Sequence, residues 1–263
     1  MKKAKILIGI ISVIAGVAAL LLVAVVCFGW KYHQANRLIT AINNEDVAAV
    51  EELLENGVDP NQTDVPPSLC WSFFEFSARR PLAEACSTGN LEIVSLLVEH
   101  GATAECIEHT GWSPLRETLF YYQPDDVQIV EMLLQNGADA DVVEDEGVAF
   151  VAARMTPKVF DKEKTNGTVF AGGYDESTGK GITQIVQMLL GDGDINATNA
   201  HGETLLMISA KKENICLARW LIEAGADPAK VDTKGNTAMD YAMLSGNEQL
   251  IAVLETATAD AAA

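Results

Sequence analysis

Positive charge is scarce in this 263-residue chain: Lys and Arg total 18 against 37 Asp and Glu, a formal net charge of −19. A surface of that sign repels phosphate backbones, which argues against nucleic-acid binding, and it favours solubility and basic partners. The same charges also read simply as the solvated faces of acidic helices. The four histidines (His33, His100, His109, His201) and five cysteines show no HExxH, CxxC or Cys/His ligand spacing, so no zinc site is expected. GxSxG, Walker and dinucleotide motifs are missing too, which leaves no catalytic constellation and no cofactor to expect. One apparent metal site remains, a calcium-loop mimic of Asp192, Asp194 and Asn196 with Glu203 at the twelfth position. Its sixth position is Ala197, where the sharp turn of such a loop requires glycine, and calcium binding is not the reading adopted.

Charge is also missing from residues 6–28, a run of 23 after the basic start Lys2, Lys3, Lys5. That length spans a bilayer core of about 30 Å as a helix. A cleaved signal peptide is the alternative, but its apolar region is normally only about 7–15 residues with small residues at the cut; here Val26-Cys27-Phe28 follows Ala24-Val25. We therefore expect an uncleaved transmembrane helix at 6–28 after a short basic segment at 1–5. The lysine bias places the N-terminus in the cytoplasm and the rest of the chain outside. Trp30 and Tyr32 suit the interface, and Ser12 and Gly16 form a small-xxx-small pair compatible with a homodimer through this helix or with a plain lipid-facing helix.

Beyond residue 35 the chain repeats itself. In Ala200–Asp232, Gly202 opens a turn, Thr204 stands where a hydroxyl caps a helix, and Leu206 begins that helix. Ser209 and Ala210 are small enough for a neighbouring helix to lie close. Glu213-Asn214 breaks the helix; Leu217, Ala218, Leu221 and Ile222 mark one face of a second, and Gly225 ends it. Parts of this unit recur as LLENGVDPN, LVEHGATAE, LLQNGADAD and a worn LLGDGDIN, and as PLAEACSTGN, SPLRETL and TAMDYAMLSGN. The distance from the first helix leucine to the terminating glycine is 19 residues from Leu38 to Gly57, Leu82 to Gly101 and Leu206 to Gly225. Cys86 takes the second small position, as Ala210 does, and reads as a buried small hydrophobe; Cys216 falls in a second helix. Cys70 and Cys106, near turns, pair only if the domain lies outside the cytoplasm.

This order of turn, short helix, short helix and Gly-Ala-Asp resembles the ankyrin repeat, whose period is about 33 residues. The family phrase G-x-T-P-L-H-x-A-A stands here as Gly202-Glu203-Thr204-Leu205-Leu206-Met207-Ile208-Ser209-Ala210. The expected fold is thus an all-α ankyrin-repeat solenoid preceded by one N-terminal transmembrane helix. Six repeats fall at about 36–61, 78–107, 109–143, 144–199, 200–232 and 233–257, within an ankyrin-repeat domain spanning 36–257, with a disordered tail at 258–263.

Two departures from the period mark candidate surfaces. The connection 62–80 is longer than its counterparts and carries Trp71, Phe73, Phe74 and Phe76; these either anchor a partner or fold back over the neighbouring first helices. Between the two helices of the third repeat lie extra residues around Phe120–Pro124, including Tyr121 and Tyr122. The same turn of the fourth repeat holds the insertion 157–181, with Phe160, Phe170 and Tyr174, which reads as a loop or small hairpin between helices at 148–155 and 182–190. Repeat geometry makes these two insertions neighbours, either a second surface or merely a tolerant edge. Three Asn-x-Thr triplets begin at Asn61, Asn166 and Asn196, relevant only in a eukaryotic secretory route.

The resemblance implies a non-enzymatic module whose concave first-helix surface and hairpin tips, near His109, Trp112 and Lys234, grip a protein partner. In a bacterium, protection of an exported enzyme or neutralisation of a toxin fits that role. The alternatives are a cytoplasm-facing, membrane-tethered scaffold and a structural, self-associating membrane protein.

Overall fold

The computed structural model describes residues 29–63, 80–105, 113–140, 148–156 and 175–261. Every regular element among them is an α-helix, and the helices come in antiparallel pairs. The first pair is α1 (29–43) and α2 (Val47–Glu55); then α3 (Pro81–Thr88) with α4 (Leu91–Glu99), and α5 (Pro114–Thr118) with α6 (Asp126–Gln135). The last three pairs are α7 (Val148–Ala153) with α8 (Glu176–Leu190), α9 (Leu205–Lys211) with α10 (Ile215–Glu223), and α11 (Ala238–Ser245) with α12 (Glu248–Ala261). First helices stack on first helices (α3 on α5, α7 on α9, α9 on α11), and second on second (α2 on α4 on α6 on α8 on α10 on α12). The core therefore grows as a line from unit to unit.

Short helices hold because their ends are capped. Thr204 accepts from the Met207 amide at 3.3 Å, Asn214 from Leu217 at 3.0 Å, Asn90 from Ile93 at 3.2 Å and Ser113 from Arg116 at 3.1 Å, while Thr237 and Asp240 form a reciprocal capping box. Each such cap is worth about 1 kcal/mol. Gly225 ends α10 with φ +93°, and Gly57, Gly101 and Gly137 repeat that left-handed turn, a conformation disfavoured for any residue bearing a Cβ. His100 caps α4 and sets Nδ1 2.8 Å from the Leu96 carbonyl oxygen.

The stacking register is visible in two columns of side chains. Three residues after the first-helix position of Leu206 stand Ala85, Thr118, Ala152, Ser209 and Ala242, all buried. One residue further stand Cys86, Leu119, Ala153 and Ala210, also buried, and then Met243, which is 60 % exposed because its helix ends the array. Burial pushes the Cys86 thiol up to about 12, so it behaves as a small apolar side chain.

Three boundaries differ from expectation. α8 starts at Glu176, six residues before Ile182, so 176–181 of the presumed insertion are helical. Asp175 caps it through the Thr178 amide at 2.7 Å; Gly181 is buried where Tyr122 leaves no room for a Cβ, and Gly179 where the start of α10 packs tightly against it. Glycine and threonine there signal close packing rather than a loop. α7 ends at Ala153 because the Arg154 and Met155 amides bond back only three residues, to Val151 and Ala152. α12 continues to Ala261 with Ala257 buried, so residues 258–261 prolong a helix where disorder was expected.

Among the described residues no helix is long and apolar enough to cross a membrane. The expected span at 6–28 lies outside them, as do Cys70, Cys106, Trp71, Phe73, Phe74, Phe76, His109, Trp112, Phe160, Phe170 and Tyr174.

Candidate functional site: the first helices and hairpin turns of repeats four to six

Repeats four to six carry a connected set of polar side chains on their first helices and the turns that precede them. The Asn199–Glu203 turn closes through Asn199 N–H to the Glu203 carbonyl at 3.0 Å, and the Asp232–Asn236 turn closes in the same way at 2.9 Å. Asn199 Oδ1 accepts the amides of His201 and Glu203, and Asp232 Oδ1 those of Lys234 and Asn236. The Thr233 amide donates to the His201 carbonyl at 3.1 Å, so the two turns are tied side by side.

Glu203 lies beneath this edge with its side chain 11 % exposed. Its carboxylate accepts from Asn199 at 2.9 Å, from Arg154 of the preceding repeat at 3.3 Å, and from Lys211 of its own. Burial alone would push the Glu203 carboxyl up, but the hydrogen bonds from Lys211 and Asn199 and the charges of Lys211 and Arg154 hold it below its ordinary range. The Lys211 ammonium also lies over the Tyr241 ring of the next repeat, 4.1 Å from its centroid, a cation–π contact. Tyr241 hydroxyl in turn donates to Asp232 Oδ2, which holds that carboxyl well below the usual range, as do the Asn236 and Lys234 amides. One network thus runs from the end of α7 through α9 to α11.

Glu203 is accordingly an ion-pair partner of two cations, which is incompatible with service as a calcium ligand. Asp194 Oδ1 accepts the Asn196 amide at 2.8 Å. The Asn196 side chain reaches into the following repeat: its Oδ1 accepts the Asp227 amide at 2.7 Å and its Nδ2 donates to Gly225 O at 3.4 Å. Asn61 makes the matching contacts to Thr103 and Gly101. Two of the three Asn-x-Thr asparagines are thus latches between repeats.

Of the expected contact residues, Lys234 is exposed at the tip of its turn. Tyr121 and Tyr122 are half-buried. The Tyr122 amide donates to Thr156 O at 2.8 Å, and its ring packs on Gly181 of α8, so the turns of repeats three and four do meet. Tyr122 is a packing residue of that joint; Tyr121 lies against Phe120, ring centroids 6.4 Å apart. Sequence reasoning missed Arg154, Lys211, Lys212 and Tyr241. Their shared signal was register, since Arg154 and Lys211 occupy the same position of consecutive repeats.

A family profile described as "Ankyrin repeats (3 copies)" matches residues 38–144 and 177–262. Among curated proteins, the chain is 29 % identical over 178 residues to the ankyrin repeat and KH domain-containing protein mask-1 of Caenorhabditis elegans, covering 67 % of this chain and 6 % of that relative. It is 39 % identical over 61 residues to the mouse protein fem-1 homolog A-like, covering 23 % of this chain and 9 % of that one. Among solved structures, a chain of the predatory endopeptidase of Bdellovibrio bacteriovorus in complex with an immunity protein superposes with TM-score 0.56 at 25 % identity, covering 84 % of this chain and 97 % of that chain. The human ASB11 ankyrin repeat domain superposes with TM-score 0.57 at 21 % identity, over 84 % of this chain and 81 % of that chain, a likeness of fold. With the stacked helix pairs, the left-handed terminal glycines and a profile matching most of its length, this chain belongs to the ankyrin-repeat family, whose arrays are protein–protein interaction modules.

Proposed function

We propose that this chain is a non-enzymatic, membrane-anchored array that grips one folded protein partner outside the cytoplasm. The observation that carries the binding role is the network from Arg154 through Glu203 and Lys211 to Tyr241 and Asp232. It holds polar side chains in fixed positions across three repeats, on the helices and turns that the family uses for contact. Pre-set side chains lose little rotamer freedom on binding. The anchor rests on the uncharged run 6–28 and on the lysine bias that precedes it. Likeness to a chain of a complex between an endopeptidase and an immunity protein is the basis for proposing an enzyme as the partner.

Two readouts test this together. Protease is added to intact cells and the array followed by an antibody to its C-terminus; digestion is expected before the membrane is broken, and protection until lysis would reverse the topology. Affinity capture of the full chain from its native membrane is expected to recover a single folded protein in stoichiometric amount. Recovery of only further copies of the chain would favour self-association instead.

A further inference from the structure

The asparagine latches occupy a seat that recurs along the array. Its two halves are the carbonyl of the glycine ending a second helix and the amide two residues further on. In the second repeat, Asn61 donates Nδ2 to Gly101 O and accepts the Thr103 amide, both at 2.8 Å. In the fifth, Asn196 does the same to Gly225 O and the Asp227 amide, at 3.4 and 2.7 Å. The first repeat carries the same seat. Gly57 has φ +79°, beside +87° for Gly101 and +93° for Gly225. The Gly57 and Val58 amides close back on Leu54 and Leu53, as those of Gly101 and Ala102 do on Val98 and Leu97. Its two halves are therefore Gly57 O and the Asp59 amide. Among the described residues no helix pair stands before them, and neither group has a hydrogen-bond partner. The seat opens into a cavity of about 430 Å³. One wall is the end of α2 and its turn, with Glu52 and Asp59; the other is a face of α1, with Trp30, Lys31 and Arg37. Two cations and two carboxylates thus line one space. All four are exposed, and no ion pair joins them among the described residues.

We propose that this cavity binds the headgroup of a membrane lipid of the phosphoethanolamine class. The occupant must offer an acceptor and a donor together, as the asparagine side chain does, and charge of both signs. A phosphate oxygen takes the Asp59 amide as Asn61 takes that of Thr103, with Lys31 and Arg37 as its counter-charges. The ammonium donates to Gly57 O, with Glu52 as its counter-charge. A phosphocholine headgroup lacks the N–H that Gly57 O requires. A lipid is the occupant because of where the cavity lies. The uncharged run ends at Phe28, and three residues of chain reach no further than about 11 Å. Lys31 therefore stands within or beside the headgroup layer, about 5–8 Å deep. Trp30, at the cavity wall, is 63 % exposed and suits that layer. A net charge of −19 is repelled by an anionic bilayer surface, which favours a headgroup neutral overall. The proposal rests on the membrane-anchored reading and deepens it, and it holds on either side of the membrane.

The test reconstitutes the full chain into vesicles of phosphatidylcholine, phosphatidylethanolamine and phosphatidylglycerol in equal parts. Flotation first reports whether the chain holds the membrane. The chain is then released into nonionic detergent, and the lipid it retains is read by native mass spectrometry. Phosphatidylethanolamine is expected to be retained over the other two. The double variant Lys31→Glu, Arg37→Glu should retain about ten-fold less or lower still, with the circular dichroism spectrum unchanged. Arg219→Glu, an exposed charge change on α10, should retain as much as the native chain. Glu52→Lys should turn the preference toward phosphatidylglycerol, a change that mere loss of structure does not produce. A chain that floats but retains phosphatidylcholine or phosphatidylglycerol as readily would overturn the proposal. Equal retention by the Lys31→Glu, Arg37→Glu variant, or an unchanged preference in Glu52→Lys, would overturn it too. In each of those cases the anchor stands and only the headgroup site falls. A chain that floats with no vesicle would sink the anchor, and this site with it.

Discussion

Replacing Glu203 by alanine removes one carboxylate that two cations share. Arg154 and Lys211 lose their shared counter-charge, and the Asn199 amide loses its acceptor. Breaking a fully buried ion pair costs about 3–5 kcal/mol. Here the cations keep about a third of their exposure and regain part of their hydration, so the expected loss is about 2–3 kcal/mol. The loss should be local, since in a linear array each unit packs only on its neighbours. Urea unfolding of the full chain should show a lower midpoint for repeats four to six, and hydrogen exchange should quicken in α9 and α11 while α3 and α4 stay protected. Glu203→Gln keeps the shape and should lose less. In a double-mutant cycle, Glu203→Ala and Lys211→Ala should couple by about 1 kcal/mol or more. A loss under about 0.5 kcal/mol, within the range of an ordinary surface substitution, with exchange unchanged, would refute the idea that this network ties the three repeats together.

Asn196→Ala deletes the latch to Gly225 and Asp227 and should cost about 1–2 kcal/mol in urea unfolding, whereas the same change at exposed Asn136 should cost less. Gly181→Ala places a Cβ within 1.9 Å of the Tyr122 hydroxyl; the gain in helix propensity of about 1 kcal/mol should be outweighed by displacement of the ring, giving a small net loss and altered Tyr122 resonances by NMR. The low carboxyl pKa of Glu203 contributes stability that is present above the unfolded value near 4.3 and is lost as pH falls through the folded value. Acid titration should therefore loosen repeats four to six below about pH 4, and Glu203→Gln should remove that part of the dependence.

The fold was legible because its signals are local. Thr204 reads as a cap, Gly225 as a stop, and Ser209, Ala210 and Cys86 as close contacts, and each needs only its own neighbours in sequence. The start of α8 was not, because Thr178, Gly179 and Gly181 look like loop residues until α10 and Tyr122 are packed against them. The network was hidden for a different reason. Arg154 and Glu203 are 49 residues apart, separated by a long insertion, and Glu203 taken with its sequence neighbours Asp192 and Asp194 mimics a calcium loop. Asn61 and Asn196 were likewise read through the threonine two positions on, when their partners lie in the next repeat. Aligning the repeats by register, rather than reading along the chain, brings these residues together.

The central claim is that the first-helix face of this array holds a protein partner in the native membrane. The most direct measurement places a photo-crosslinking amino acid at Leu244, on that face, and in a parallel chain at Arg219, exposed on the second helix α10. Irradiation of intact cells should join one and the same protein to the chain labelled at 244 and leave the chain labelled at 219 unjoined. Equal cross-linking at both positions, or none at either, would contradict the account.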